Sequence, residues 1–529
     1  MDSETWESAV GGPPAPDAEI DRLDAMALER RPEAAVEIAD LLRRHPGDAR
    51  VHAIQGEAAA ALGHDDTALR AYDAALALDP GNAQALFGAG RLLSRMGRNQ
   101  DAFDRLRAAS ALRGDAPEIW RALGVAAAKL KRWPDAVEAF AKTVEREPQD
   151  VLALSNLGLA LERSDRAAEA RAMTGLAVAL SRGEPVCALR HGTVLTDTGS
   201  PREGLVAMSA AFRRHRANGE LATSFMMLAA QLPEVWGEAQ AFWAQLEGLA
   251  AGAGDPICRV APAIGSALCG RWDAVARAVT GPSAREIEAA ILAAGGEPRA
   301  RGAHAFLILL NGLAKARGVE RLPEGAAPPL FHIGESHCLS FAQMGVDLGG
   351  ARHRIEPRLV LGAKALHFGQ ARETGPKAVF ERHLATIPGD APLLLSFGEI
   401  DCRLDEGILH HRRKSGGDLR EIAERTVEGY VSWLAERLAG RAGRTHLMGV
   451  PAATMEPSVA AADQAAQREV IAAFNGALAE GARAAGFGFV DLHAITADET
   501  GASHGRLQCD GRHLSPAALL EVGRMLNGA

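Results

Sequence analysis

Cysteine is scarce, with six residues in 529, and none of them forms a CxxC pair. That excludes a disulfide scaffold and the common structural zinc patterns, so Cys187, Cys258, Cys269, Cys338, Cys402 and Cys509 are expected as free thiols in a reducing compartment. Neither these thiols nor His410-His411 show metal-ligand spacing, and no metal or cofactor is expected. Positive charge is in deficit: 58 Lys and Arg against 67 Asp and Glu give a net charge of -9. With a pI near 6.0, this leaves no basic footprint for nucleic acid or an anionic membrane. No stretch reaches the roughly 18 uninterrupted apolar residues of a membrane span. The segment Met1 to Pro16 lacks the charged and apolar regions of a secretory signal, which predicts a cytosolic protein. Proteins and small molecules remain as partners.

What is present is a globular composition, 47% apolar and 24% charged, in a chain long enough for two to four domains. The first half repeats. Gly56, Gly90, Gly124, Gly158 and Gly192 follow one another at intervals of 34 residues, and Ala68, Ala102, Ala136 and Ala170 stand 12 residues after the first four. The fifth register carries Gly204 instead. Bulky residues recur at Tyr72, Leu106 and Phe140, and Pro46, Pro80, Gly114 and Pro148 end the units. Small residues at the Gly and Ala positions let two antiparallel helices approach closely, and the bulky residue is expected to fill the seam between neighbouring units. A single unit cannot bury its apolar face, so the array is stable only as a stack.

This period and pattern resemble tetratricopeptide repeats over about residues 15–215, with a weaker first unit carrying Ala34 and Pro46. The resemblance implies an all-α solenoid whose concave groove takes a protein or peptide; a passive spacer or dimerisation arm is the alternative. Residues 216–325 stay helix-rich, with helices expected over Leu221–Leu232, Val235–Leu249, Arg285–Leu292 and Ala305–Ala316. They read as degenerate repeats or a capping bundle, with Trp236/Trp243 and Met226/Met227 as core.

After the Pro/Gly-rich linker Leu322 to Pro329 the pattern changes to short apolar runs alternating with helices. Strands are predicted at Leu330–Ile333, Arg358–Leu361, Leu393–Phe397, His446–Val450 and Gly488–Leu492. Helices are predicted near Leu339–Leu348, Leu419–Leu438, Ala460–Ala485 and Pro516–Leu526. This alternation predicts a mostly parallel sheet covered on both faces, with reactive groups at the carboxyl ends of its strands.

Three motifs sit near those ends. In Phe331-His332-Ile333-Gly334-Glu335-Ser336-His337, an apolar strand runs into a serine at a helix start. There it is either a plain N-cap or a nucleophile favoured by helix N–H groups. In Asp510-Gly511-Arg512-His513-Leu514-Ser515-Pro516, the three-residue spacing lets a carboxylate orient an imidazole just before a helix that opens at Ser515-Pro516. An accidental surface pairing is the alternative. Strand-Gly-x-Ser at the head of a domain with Asp-x-x-His before its last helix resembles the SGNH, or GDSL, hydrolases over about residues 329–529. The resemblance implies an α/β/α three-layer, flavodoxin-like domain in which Ser336 is the nucleophile, His513 the general base and Asp510 its orienting partner. Backbone N–H groups of Ser336 and Gly362 would serve the oxyanion.

The third motif, Leu395-Ser396-Phe397-Gly398-Glu399-Ile400-Asp401-Cys402-Arg403, departs from that family. Ile400 stands where the family has the Asn that donates to the oxyanion, and Glu335 stands where it has Asp. The block resembles a variant from a bacterial branch of the family. Arg403 or a backbone N–H is expected to replace the amide, or else Arg403 pairs structurally with Glu399 or Asp401. The candidate oxyanion and substrate-binding residues are thus Gly362, Gly398, Glu399, Asp401 and Arg403. Cys338, Cys402 and Cys509 flank the three motifs and converge if the motifs do.

The implied activity is that of a serine esterase or O-acyltransferase working on an acyl group, acetyl above all, of a carbohydrate or similar oxygen ester. The alternative is a scaffold that recruits protein partners and has lost catalysis.

Overall fold

The structure, a computed structural model, describes residues 14–232, 239–252, 254–316, 318–454 and 457–528. The chain divides into two compact units, Met1–Gly183 and Glu184–Ala529.

The first unit is a succession of antiparallel helix pairs: Asp17–Leu28 with Pro32–Arg44, Ala49–Ala61 with Asp65–Leu78, Ala83–Arg95 with Asn99–Leu112, Pro117–Lys129 with Trp133–Arg146, and Val151–Glu162 with Ala167–Leu180. Asp48, Asn82 and Asp150 cap three of the leading helices by accepting N–H bonds from Arg50, Ala85 and Ala153. The fourth starts instead on Pro117, which has no N–H to satisfy.

The repeat glycines sit where the pair is tightest. A Cβ added at Gly56 would stand 2.6 Å from the Tyr72 ring, at Gly90 2.5 Å from Leu106, and at Gly124 2.7 Å from Phe140. The bulky residue therefore packs first onto the glycine of its own pair. Tyr72 also reaches the seam expected from sequence, where a Cβ on Gly88 of the next pair would stand 2.5 Å from its ring.

The second unit opens with one more pair, Pro185–Asp197 and Pro201–Arg214. Here the carbonyl oxygen of Gly192 would lie 2.5 Å from a Cβ on residue 204. The two backbones approach too closely for a methyl group, which explains why glycine replaces the recurrent alanine at Gly204. Among the described residues, six further α-helices follow: Gly219–Ala230, Ala239–Gly252, Val260–Leu268, Trp272–Val279, Gly281–Ala293 and Pro298–Lys315. The opening residues of the helix expected over 235–249, with Trp236, fall outside the described residues, while Trp243 is fully buried.

The sheet comprises β1 (Pro329–Gly334), β2 (Gly345–Leu348), β3 (Ala351–Leu359), β4 (Leu393–Ser396), β5 (Thr445–Met448) and β6 (Gly488–Val490), in the order β2-β3-β1-β4-β5-β6. All neighbours are parallel except the edge pair β2–β3. Side chains of β1 alternate: Phe331 and Ile333 join a core with helices Leu419–Leu438 and Ala461–Ala484, and Leu330 faces Leu519–Leu526. The order runs outward from β1 in both directions, and Gly334 is level with Leu359 on one side and Ser396 on the other. The carboxyl ends of β1 and β4 thus flank the switch point, where ligand sites of such sheets form.

Two expectations fail near β1. The helix expected over Leu339–Leu348 is instead a short 3-10 turn, Ser336–Leu339, followed by edge strand β2. Gln343 lies between them at φ 61°, fixed by a bond from the Trp272 indole to its Oε1 (3.0 Å) and one from its Nε2 to the Leu268 carbonyl (2.9 Å). These tertiary contacts outweigh the helical pattern of the apolar residues around it. The strand expected at Arg358–Leu361 begins earlier, at Ala351, and stops at Leu359.

Helices 184–315 also join the sheet's core. Cys338, Leu339 and Leu359 pack with Leu268, Leu307 and Leu310, and the Leu361 N–H donates to Gln231 (2.8 Å). The segment 322–329 changes composition without interrupting that core.

Gly124→Ala is expected to destabilise the array by about 1–3 kcal/mol, because the Phe140 ring must move, even though alanine is the better helix former by about 1 kcal/mol. Urea denaturation alone and combined with Phe140→Leu measures this; the penalty shrinks in the double variant, and an unpenalised Gly124→Ala contradicts the close packing.

Candidate active site

The chain leaves β1 at Gly334, where a Cβ would collide with the Ser396 side chain. Glu335 is extended and Ser336 opens the 3-10 turn. Ser336 Oγ lies 2.7 Å from His513 Nε2, and His513 Nδ1 lies 2.6 Å from Asp510 Oδ2. The other oxygen of Asp510 accepts the N–H groups of Arg512 (3.1 Å) and His513 (2.7 Å). The loop is closed further by the Cys509 N–H donating to the His513 carbonyl (2.9 Å) and by Thr454 Oγ1 donating to the Gly511 carbonyl (2.9 Å). Burial works to raise the Asp510 carboxyl, but the His513 imidazole and the two N–H donors outweigh it and hold it at about 2. An ionised Asp510 keeps the proton on Nδ1 and turns the Nε2 lone pair toward the serine hydroxyl, the geometry a general base requires.

Behind the triad lies a buried charge cluster. The His337 ring lies against that of His513, tilted by 38° with centroids 4.8 Å apart. Its Nε2 is 3.2 Å from the Arg512 carbonyl oxygen and its Nδ1 3.2 Å from Glu335 Oε1. The second contact is poorly aligned as a hydrogen bond, so charge attraction carries it. Both ring nitrogens face oxygens that only accept, which calls for a proton on each. Burial alone would strip the charge from His337, yet the Glu335 and Glu399 carboxylates and the Arg512 carbonyl raise it above its ordinary 6.5. Glu335, His337 and Glu399 also bring ligand atoms within 4.8 Å of one another. Arg403, however, engages both oxygens of Glu399 (2.6–3.0 Å), so the cluster's two carboxylates are met by the protein's own cations.

The third motif divides into two roles. Ile400 and Arg403 line one cavity of about 610 Å3 with Ser336, Gly362, Asp510 and His513. Arg403 is committed to Glu399 and, at 3.5 Å, to Glu406 rather than to Asp401. Glu399 lines an adjoining cleft of about 320 Å3. Gly398 and Asp401 line neither. A Cβ at Gly398, already at φ 122°, would stand 2.5 Å from Phe474, and fully buried Asp401 accepts the N–H groups of Ala365 (2.7 Å) and Leu366 (3.3 Å). Asp401 thereby anchors the loop that carries Gly362, and burial pushes its carboxyl up to about 7 despite those donors. The N–H groups of Ser336 and Gly362 donate no hydrogen bond to any of the described residues.

Sequence reasoning missed the Glu335–His337 pair, whose one signal was its position on either side of Ser336. It also missed the cavity wall from helices Gly219–Ala230 and Pro298–Lys315, which contribute Met227, Arg301, His304, Ala305, Phe306 and Ile308. The thiols divide: Cys338 and Cys509 adjoin one core and Cys402 lies in the other. Burial raises all three, Cys509 to about 12, so none is a thiolate nucleophile at neutral pH.

The tetratricopeptide repeat family model matches residues 23–83, 87–145 and 130–185. The N-terminal region is a tetratricopeptide-repeat array. Similar solved structures include YrrB, described as a tetratricopeptide protein with an unusual peptide-binding site, at 20% identity and TM-score 0.32, covering 33% of this chain and 91% of its own. MamA (20%, 0.31, covering 32% and 94%) and PilF of Pseudomonas aeruginosa (20%, 0.33, covering 38% and 93%) are others. No curated protein matches the sequence. Tetratricopeptide arrays are protein-interaction scaffolds, and among the described residues no helix is long and apolar enough to cross a membrane.

Because His337 is raised, its ion pair stabilises the fold fully below the ordinary 6.5 and fades as pH rises through its higher folded value. His337→Gln is expected to cost about 3–5 kcal/mol at acidic pH by leaving Glu335 buried without its cation, and to flatten that pH dependence. Urea unfolding across the neutral range measures both; an equal loss at every pH contradicts the charged state.

Proposed function

We propose that the chain joins a protein-recruiting repeat array to a serine-dependent acyl-transfer site of the SGNH type. The observation that carries the second half is the continuous path from Ser336 Oγ through His513 to Asp510, at 2.7 and 2.6 Å, inside a cavity. The strand order supports the same reading: without the edge strand, the five parallel strands follow the flavodoxin-like order. His513 takes the serine proton as Oγ attacks the ester carbonyl. The oxyanion is met by the N–H groups of Ser336 and Gly362, and His513 returns the proton to the departing alkoxide. Water or an acceptor hydroxyl then resolves the acyl-serine. The substrate is an oxygen ester, of a carbohydrate or similar alcohol, and the reducing environment suited to six free thiols is the cytosol.

A second reading has its own observation. The Ile400 side chain offers no donor and Arg403 is committed to Glu399, so the third motif lacks the side-chain donor that the family places there. On that basis the α/β portion has lost catalysis and the protein works as an adaptor, the reading the family match favours.

A fluorophosphonate probe and a generic short-chain ester decide between them. Under the first reading, Ser336→Ala abolishes labelling and turnover without moving the unfolding midpoint. Asp510→Asn lowers kcat by on the order of 10⁴ through the wrong imidazole tautomer, the loss described for triad enzymes generally. Under the second, wild type does not label, and wild type and Ser336→Ala capture the same protein partner.

A further inference from the structure

The helix Pro298–Lys315 has two faces. Ala300, Ala303, Leu307 and Leu310 are buried in the core that the helices share with the sheet. A second stripe, Arg301, His304, Ala305 and Ile308, follows the helical spacing i, i+3, i+4, i+7 and lines the Ser336 cavity instead. One turn beyond Ile308, a Cβ at Gly312 would stand 3.2 Å from Cys509 Cβ, so this end of the helix abuts the loop that carries Asp510 and His513. The stripe therefore has a direction. It is apolar beside the triad, at Ile308 and Ala305, and becomes polar at His304 and Arg301, about 6 and 10 Å from Ile308 by helical rise.

Ile308 is 42% exposed, on the same exposed face as Arg301, His304 and Ala305, while the opposite face of the helix is anchored in the core. In the cavity it is joined by Met227 and Phe306, with Leu361 and Ile400 also in the lining beside the oxyanion loop and the third motif. The replacement of the family's Asn by Ile400 thus both removes a donor and adds an apolar surface near the nucleophile. A cavity of about 610 Å3 is the size of sites that enclose drug-sized ligands, well beyond an acetyl group.

We propose that helix Pro298–Lys315 is the specificity wall of the site, and that the apolar slot it forms takes an acyl chain longer than acetyl, up to the polar limit set by His304 and Arg301. The inference rests on Ser336 being the nucleophile. It places substrate selection in a helix N-terminal to the sheet, where an ester chain of medium length gains hydrophobic burial that acetate cannot.

The test compares p-nitrophenyl acetate, butyrate and octanoate in the full-length protein. Wild type is expected to favour butyrate or octanoate over acetate by at least about tenfold in kcat/KM, the worth of one or more methylenes in an apolar pocket. In Ile308→Trp, which fills the slot, the octanoate-to-acetate ratio falls by a similar factor. Preference for acetate, or a ratio unmoved by Ile308→Trp, overturns the proposal. Binding of methyl octanoate to Ser336→Ala, followed by calorimetry, separates the two ideas. Absent labelling and turnover with binding that Ile308→Trp abolishes refutes the nucleophile but keeps the slot, and absent binding refutes the slot whatever the chemistry.

Discussion

The carboxylate of Asp510 accepts three hydrogens at once, from two N–H groups of its own loop and from an imidazole, and the site is arranged around that contact. The backbone bonds fold residues 510–513 into a tight loop, and the imidazole bond fixes which nitrogen is left to face Ser336. The serine is placed independently. β1 must end in glycine because Ser396 of β4 occupies the space a side chain would need, and the chain turns there into a 3-10 turn rather than a long helix. Asp401 and Gln231 hold the Gly362 loop from two directions, one from the turn after β4 and one from the helical region. Each group is set by a contact outside itself, the usual requirement for a preorganised site.

The same region concentrates buried charge. Glu335, Glu399 and Asp510 would each be costly to bury alone. Arg403 meets Glu399 bidentately, His337 meets Glu335, and Asp510 spends its charge on His513 and two N–H donors. Replacing one member leaves another without its partner, so the cluster behaves as one body with the triad loop through the Arg512 carbonyl.

Legibility in the sequence followed the range of the forces involved. The repeat was readable because each contact lies within one period: Gly124 meets Phe140 sixteen positions on, and the pattern recurs. Gly204 was readable as an exception but not as a cause, since only the approach of the Gly192 carbonyl explains it. The meeting of Ser336, Asp510 and His513 could be anticipated because Gly-x-Ser after a strand and Asp-x-x-His before a helix are short, self-contained motifs. The helix expected over Leu339–Leu348 failed because Gln343 is held by Trp272 and Leu268, more than seventy positions earlier. His337 needed the Arg512 carbonyl, and the cavity wall needed the packing of Gly312 on Cys509, to acquire meaning. Nothing local records either.

The hydrogen bond from Ser336 to His513 joins residues 177 positions apart, and the wall helix is made before either. During synthesis the repeats and the wall helix emerge first and Ser336 follows, while Asp510 and His513 are supplied only after β6. A nascent chain can thus complete its repeat array before the contacts among Ser336, His513 and Asp510 can form. In this order of assembly, any chain interrupted before residue 513 keeps the repeats and lacks that set of contacts.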